Sequence, residues 1–239
     1  MTRKKITNMD DDMHTDPTQQ GARLALALRL LLRQDPAEML QGLIRCVRRI
    51  YDLIMLGQAR GIYEVLEHRT TLELLDARGE VALVDRRETV RFLQDHVEAI
   101  SDQAWGDGEI FAEYRCSPGV PVDFYQDGSR HTVLISLREV KKRGDVITFQ
   151  IHRKIVGGFT TPHECSETDI YQDTASLSVV VIFPRDRRCW GVTVTQRSTS
   201  VTVALGPEQF QYLEDGRQTL TWEITHPRLH DRYSLKWHW

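Results

Sequence analysis

A chain of 239 residues, 27% charged and 41% hydrophobic, carries enough apolar mass for one large domain or two small ones, and its composition excludes collagen, a coiled-coil rod and global disorder. Thirty-one Lys and Arg against thirty-four Asp and Glu give a formal net charge of −3, so the surface as a whole offers no electrostatic drive toward nucleic acid or anionic lipid. Cys46, Cys116, Cys165 and Cys189 are dispersed without a C-x-x-C pair, which points to reduced thiols in a cytoplasmic protein and away from a disulfide scaffold or zinc knuckle.

The basic start at Arg3, Lys4 and Lys5 and the apolar run Leu24 to Leu32 imitate a signal peptide. Asp10, Asp11, Asp12 and Asp16 lie between them, Arg29 interrupts the run, and no small-residue cleavage site follows. No stretch approaches the ~18–20 apolar residues of a spanning helix, so no transmembrane segment is expected. Residues 1–17 are polar and aperiodic and read as a disordered tail. Residues 18–34 read as a helix that ends before Asp35-Pro36, and the same dipeptide opens a second helix, with Asp35 as N-cap, Pro36 at N1 and Glu38 at N3. In that helix Leu40, Leu43, Val47, Ile50 and Ile54 form an apolar stripe, and Arg45, Arg48 and Arg49 take the other side. These eight residues are the candidate partner-binding set. Helix one spreads leucines at 24, 26, 28, 30, 31 and 32 over more surface than one neighbour covers, so the hairpin of residues 18–60 is expected to form a homo-oligomer or to dock on a protein partner.

Past Gly61 the hydrophobic period changes to 2. Thr70, Leu72 and Leu74 alternate with polar neighbours, Asp76-Ala77-Arg78-Gly79 makes a turn, and Val81 to Val84 returns as the second strand of a hairpin. Residues 86–104 fit either a helical face or a continued strand. Further strands are read at Ile110 to Cys116, His131 to Arg138, Val146 to Val156, Ser176 to Phe183, Gly191 to Gln196, Thr199 to Leu205, Thr219 to Thr225 and Arg232 to His238, with Gly, Pro and Asp turns between them. The last two read as a terminal hairpin with Leu220, Trp222, Ile224, Tyr233, Leu235, Trp237 and Trp239 on one apolar face. The fold class is therefore α+β, an N-terminal helical hairpin followed by a large antiparallel β-sandwich over residues 61–239.

No Gly-rich phosphate loop, G-x-S-x-G elbow or H-E-x-x-H helix occurs, and no catalytic, cofactor or metal set is assigned. His163-Glu164-Cys165 gathers three possible ligands or acid–base groups, but successive strand residues point to opposite faces. Lys141-Lys142-Arg143 has no interleaved aromatics, so it offers no stacking platform for nucleic acid. Trp105, Asp107, Phe124, Tyr125 and Asp127 fall in a turn-rich, acidic and aromatic stretch that suits a polar pocket with a stacking wall. Three functional readings follow. The first is a non-enzymatic interaction or regulatory protein, with sandwich loops recognising a partner. The second is a small-ligand sensor or carbohydrate-binding module using residues 105–129. The third is an enzyme whose site assembles only in space.

Overall fold

The computed structural model describes residues 61–239. In chain order the strands are β1 (Tyr63–Leu74), β2 (Val81–Phe92), β3 (Val97–Trp105), β4 (Glu109–Ser117), β5 (Val120–Asp127), β6 (Arg130–Lys141) and β7 (Val146–Val156). The remainder are β8 (His163–Asp169), β9 (Ser176–Phe183), β10 (Gly191–Gln196), β11 (Val201–Ala204), β12 (Phe210–Tyr212), β13 (Gln218–Thr225) and β14 (Arg232–His238), with a 3-10 turn at Pro207–Gln209. A seven-stranded sheet runs β12-β13-β9-β1-β2-β7-β4, a four-stranded one β11-β10-β14-β8 and a three-stranded one β3-β6-β5.

This overturns the α+β expectation, since the 3-10 turn is the one helical element among the described residues. The helical hairpin of residues 18–60, with its partner-binding set, and the tail of residues 1–17 lie outside the described residues. Two further expectations change. The β1–β9 pair is parallel, with His68 to Glu73 alongside Leu177 to Ile182, so the connections are not all antiparallel. The two C-terminal strands do not form a hairpin: β13 pairs with β9 in the seven-stranded sheet, while β14 pairs with β10 and β8 in the four-stranded one. Their shared apolar pattern places them on opposite walls of one core, where the Trp222 and Tyr233 rings meet with centroids 5.6 Å apart. The ambiguous residues 86–104 extend β2 to Phe92 and supply most of β3.

Local chemistry explains the tight joints. The Asp76 carboxylate accepts the backbone N–H groups of Arg78 and Val81, each at 2.8 Å, and turns the chain from β1 into β2. Gly79 closes this turn at φ +70°, where a Cβ would overlap the Phe159 carbonyl. At Arg143-Gly144-Asp145 the Asp145 carboxylate accepts the Lys142 N–H at 2.9 Å and the Gly144 N–H reaches the Phe92 carbonyl, so the tripeptide is a hairpin turn.

Period-two alternation on β2 turns Ala82, Val84, Arg86, Glu88, Val90 and Phe92 to one face and Asp85 and Arg87 to the other. One end of that inner face, with Leu72 and Leu74, packs on Val192, Val194, Leu235 and Trp237 of the four-stranded sheet. The other end, Val90 and Phe92, packs on Ile100, Val133 and Ile135 of the three-stranded sheet. Two hydrophobic cores thus share one sheet, and a charged layer separates them. In it the Arg86 Nη2 lies 2.8 Å from Asp102 of β3, whose side chain is fully buried, and the Tyr114 hydroxyl donates to Asp102 at 3.1 Å. Glu88 approaches both Arg86 and His68 at 3.5 Å, and the Thr70 hydroxyl lies 3.0 Å from the His68 ring. Arg153 enters from β7 with its guanidinium 6.0 Å from the Phe111 ring centroid.

Burial, with the positive Arg86 beside it, lowers the His68 pKa to about 3. The unfolded chain therefore binds a proton on His68 below about pH 6.5 that the native state refuses until about pH 3, so this residue's contribution to stability falls with pH across that window. Burial raises the pKa of Glu88, which acts in the opposite sense, so the effect of His68 is read as a difference between variants. From pH 7 to pH 5 the wild type is expected to lose about 2 kcal/mol more than His68→Gln, as measured by urea denaturation at each pH. Parallel pH profiles for the two proteins would show that His68 is not held neutral.

Candidate functional site

The four-stranded sheet buries its odd-numbered β14 side chains and turns Arg232, Ser234, Lys236 and His238 outward. The register completes this outward face in rows. His163, His238 and Gly191 form one, Cys165, Lys236, Thr193 and Ala204 the next, Glu167, Ser234, Thr195 and Thr202 a third, and Asp169 faces Arg232 in the last. Small residues on β10 and β11 lie beside longer ones on β14 and β8, so the face is a trough. Two adjoining depressions of about 370 and about 600 Å³ open along it and share Lys236.

A closed charge network forms one wall. Arg232 holds Asp169 with two contacts, Nε to Oδ1 at 2.6 Å and Nη2 to Oδ2 at 2.9 Å, and reaches Glu167 with Nη1 at 2.8 Å. Ser234 donates to the other Glu167 oxygen at 2.7 Å, and the Trp105 indole N–H donates to Glu167 at 3.2 Å. Arg130 donates to Gln103 at 2.7 Å and to the Tyr171 hydroxyl at 2.8 Å, and the Tyr171 O–H donates in turn to Asp169 at 2.6 Å. The guanidinium carbons of Arg130 and Arg232 lie 5.2 and 4.9 Å from the Trp105 ring centroid. Burial works to raise the pKa of Asp169, but hydrogen bonds from Arg232 and Tyr171 outweigh it and hold the carboxyl below the usual range. Both carboxylates of the wall are therefore occupied by its own donors.

The floor differs. Lys236 and Arg197 line the smaller depression, and neither takes part in an ion pair among the described residues. Thr195 and Ser200 line the same depression with hydroxyls. A buried anchor holds the loop that carries Arg197 and Ser200: Asp231 accepts from Gln196 at 2.7 Å, from the Ser198 N–H at 2.9 Å and from the Ser198 hydroxyl. Burial raises the Asp231 pKa, yet these bonds from Ser198 and Gln196 prevail and bring it down to about 2.

At the far end the His163 and His238 rings stack with centroids 4.6 Å apart. Burial raises the Cys165 pKa, the Glu167 carboxylate adds to this, and Lys236 pulls the other way without reversing it. Cys165 is thus held as the thiol, the weaker nucleophile. Its thiol does not combine with His163 and Glu164 into a metal set, and no group of three or more His, Cys, Asp or Glu among the described residues could hold a metal ion. Cys116, Cys165 and Cys189 are free. No helix among the described residues is long and apolar enough to cross a membrane.

The five residues singled out from the 105–129 stretch are dispersed. Trp105 belongs to the charged wall, and Asp107, in the β3–β4 turn, adds its negative field to Cys165. Phe124 packs edge-on against Phe111 and Tyr114, with centroids 6.1 and 5.7 Å away, on the inner side of the three-stranded sheet. Tyr125 points to the opposite face, and Asp127 ends β5 opposite Arg130. Sequence reasoning missed Arg130, Glu167, Asp169, Tyr171, Arg197, Arg232 and Lys236. The available signal was the polar side of the β14 alternation; β8, His-Glu-Cys-Ser-Glu-Thr-Asp, gave none.

No family model matches the chain, and no curated protein matches it. Among solved structures it is similar to the M1 zinc metallopeptidase from Deinococcus radiodurans, with 12% identity and a TM-score of 0.46 over 74% of this chain and 42% of that one. It is also similar to Legionella pneumophila aminopeptidase A in complex with aspartic acid, with 10% identity and a TM-score of 0.43 over 74% of this chain and 21% of that one. The chain spans less than half the length of either protein. Likeness at this level assigns no activity.

The wall and the floor should respond differently to mutation. Arg232→Met leaves Asp169 and Glu167 without their main cation, while Tyr171, Ser234 and Trp105 still donate to them, and is expected to cost about 1–3 kcal/mol in urea denaturation. Lys236→Ala, which breaks no ion pair, should stay within about 0.5 kcal/mol of wild type. Equal losses in the two variants would show that Lys236 is part of the network.

Proposed function

We propose that the β domain is a recognition module for an anionic, hydroxyl-bearing ligand, laid along the outward trough of the four-stranded sheet. The observation that supports this is the division of charge within the trough. The wall carboxylates are neutralised by Arg232 and Arg130, while Lys236 and Arg197 lack carboxylate partners beside a hydroxyl-lined depression. A sulfate, phosphate or carboxylate group supplies the missing counter-charge, and Thr195, Ser200 and the Thr193 row supply the short polar contacts that hydroxyl groups need. The closed network keeps the rim in place before a ligand arrives, so little ordering is required on binding. An acidic oligosaccharide joins these two features in one molecule.

Isothermal titration of the full chain with a sulfated tetrasaccharide, an oligogalacturonate, a neutral tetrasaccharide of similar length and inorganic phosphate tests the reading. The acidic oligosaccharides should bind with dissociation constants on the order of 10–1000 μM and weaken as salt is raised. Lys236→Ala is expected to weaken them about tenfold, in keeping with loss of one charge-assisted contact. Phosphate should bind more weakly than either chain. Equal affinity for the neutral oligosaccharide, or an unchanged constant for Lys236→Ala, would overturn the proposal.

A further inference from the structure

Among the described residues three sheets leave six edge strands, and five of them carry a charge, proline or bulge, or are only three residues long, each of which hinders pairing with another chain. β12 is three residues long, and β4 bulges between Glu109 and Glu113 and carries Arg115. β5 contains Pro121 and a bulge, and β3 has a bulge between Val97 and Ala99 and turns the charged Asp102 inward. β8 carries Glu164, Glu167 and Asp169. β11 is one residue longer than β12 and has its shortness alone. It reads Val-Thr-Val-Ala, with no charge, proline or bulge, and all four residues are exposed. Val201 and Val203, on the inner side of the sheet at 53% and 55% exposure, extend past the area that the core covers.

The ladder shows which backbone groups are open. The Leu205 N–H donates to the Val192 carbonyl at 2.9 Å, so in the antiparallel β10–β11 pair Val203 and Val201 bond inward, while Thr202 and Ala204 point their N–H and C=O groups away from the sheet. Two antiparallel copies of this edge match one another. Thr202 of each bonds Ala204 of the other, and the two Val203 residues meet as a non-hydrogen-bonded pair on the two-fold axis. We infer that β11 is a self-association edge, through which two copies of the chain join their four-stranded sheets into one of eight strands.

Four residues of strand bury less than the ~1,200 Å² of a stable interface, so the dimer is a weak one. Sedimentation velocity of the full chain from about 10 to about 500 μM should show a concentration-dependent monomer–dimer equilibrium. Val203→Lys should raise the dissociation constant at least about tenfold with an unchanged melting temperature, and Val146→Lys, at an exposed valine elsewhere, should leave it unaltered. The register has its own readout, because a non-hydrogen-bonded pair holds its Cα atoms about 4.5 Å apart, within disulfide range. Val203→Cys treated with oxidised glutathione should yield a 203–203 linked peptide by mass spectrometry. A wild-type chain that stays monomeric, association untouched by Val203→Lys, or a Val203→Cys protein that gives no 203–203 peptide would each overturn the inference.

Discussion

The ion pair between Arg86 and Asp102 sets the plan of the β domain. Neither group can be left alone in the interior, because an unpaired buried charge costs several kcal/mol, and the two come from different sheets. A two-residue slide of β3 over β2 would place Ile100 or Ala104 above the guanidinium and strand it. The pair therefore fixes the register of the three-stranded sheet on the seven-stranded one, a task that interchangeable aliphatic contacts such as Val90 on Val133 perform weakly. A buried ion pair is poor evidence of net stability, and its value here is specification. It also explains the division of the interior, since β1 and β2 interrupt their apolar rows at the same level, His68 opposite Glu88 and Thr70 opposite Arg86, while β7 keeps Phe149 and Ile151 there and brings in Arg153 opposite Val84.

A second charged junction works from outside. Arg130 and Trp105 lie at one end of the three-stranded sheet, and Arg232, Glu167 and Asp169 lie on the four-stranded one, so their hydrogen bonds join two sheets that share no ladder. Both junctions use Arg, whose planar fork satisfies two acceptors at once. They differ in what they leave over. The inner layer draws its charges from within the fold, whereas the outer one uses up the carboxylates around the trough and leaves Lys236 facing solvent beside them. The ligand proposal depends on that residue of positive charge, which a net charge of −3 for the whole chain conceals.

Strand positions were largely legible in the sequence because they follow from period-two burial. Val146–Val156, Ser176–Phe183, Gly191–Gln196 and Arg232–His238 begin and end where the alternation does. β5 and β8 escaped because their side chains are mostly polar or half-exposed and give no apolar rhythm. Pairing was not legible. The clean stripes on β13 and β14 state that each buries one face, and chain proximity suggested a hairpin, but the same pattern serves two strands on opposite walls of a sandwich. The parallel β1–β9 contact, between residues more than a hundred positions apart, has no local trace. The trough escaped for a related reason: its members come from β3, β6, β8, β10, β11, β14 and the loops that carry Tyr171, Arg197 and Ser200, and each alone reads as an ordinary surface residue.

The pairing edge and the trough are neighbours on one sheet, which ties the two proposals together geometrically. An antiparallel two-fold axis stands perpendicular to the sheet, so joining two β11 edges keeps both outward faces on the same side. From β14 to β14 of the second copy there are five strand intervals, which puts the two Lys236 residues about 24 Å apart at the usual spacing. A chain-like anion of that length or more reaches both troughs, while a short one fills a single trough. The second contact is then intramolecular, and a weak site gains affinity from effective concentration without any new residue. By the same linkage the longer anion favours the dimer, since it binds the paired form better than the single chain.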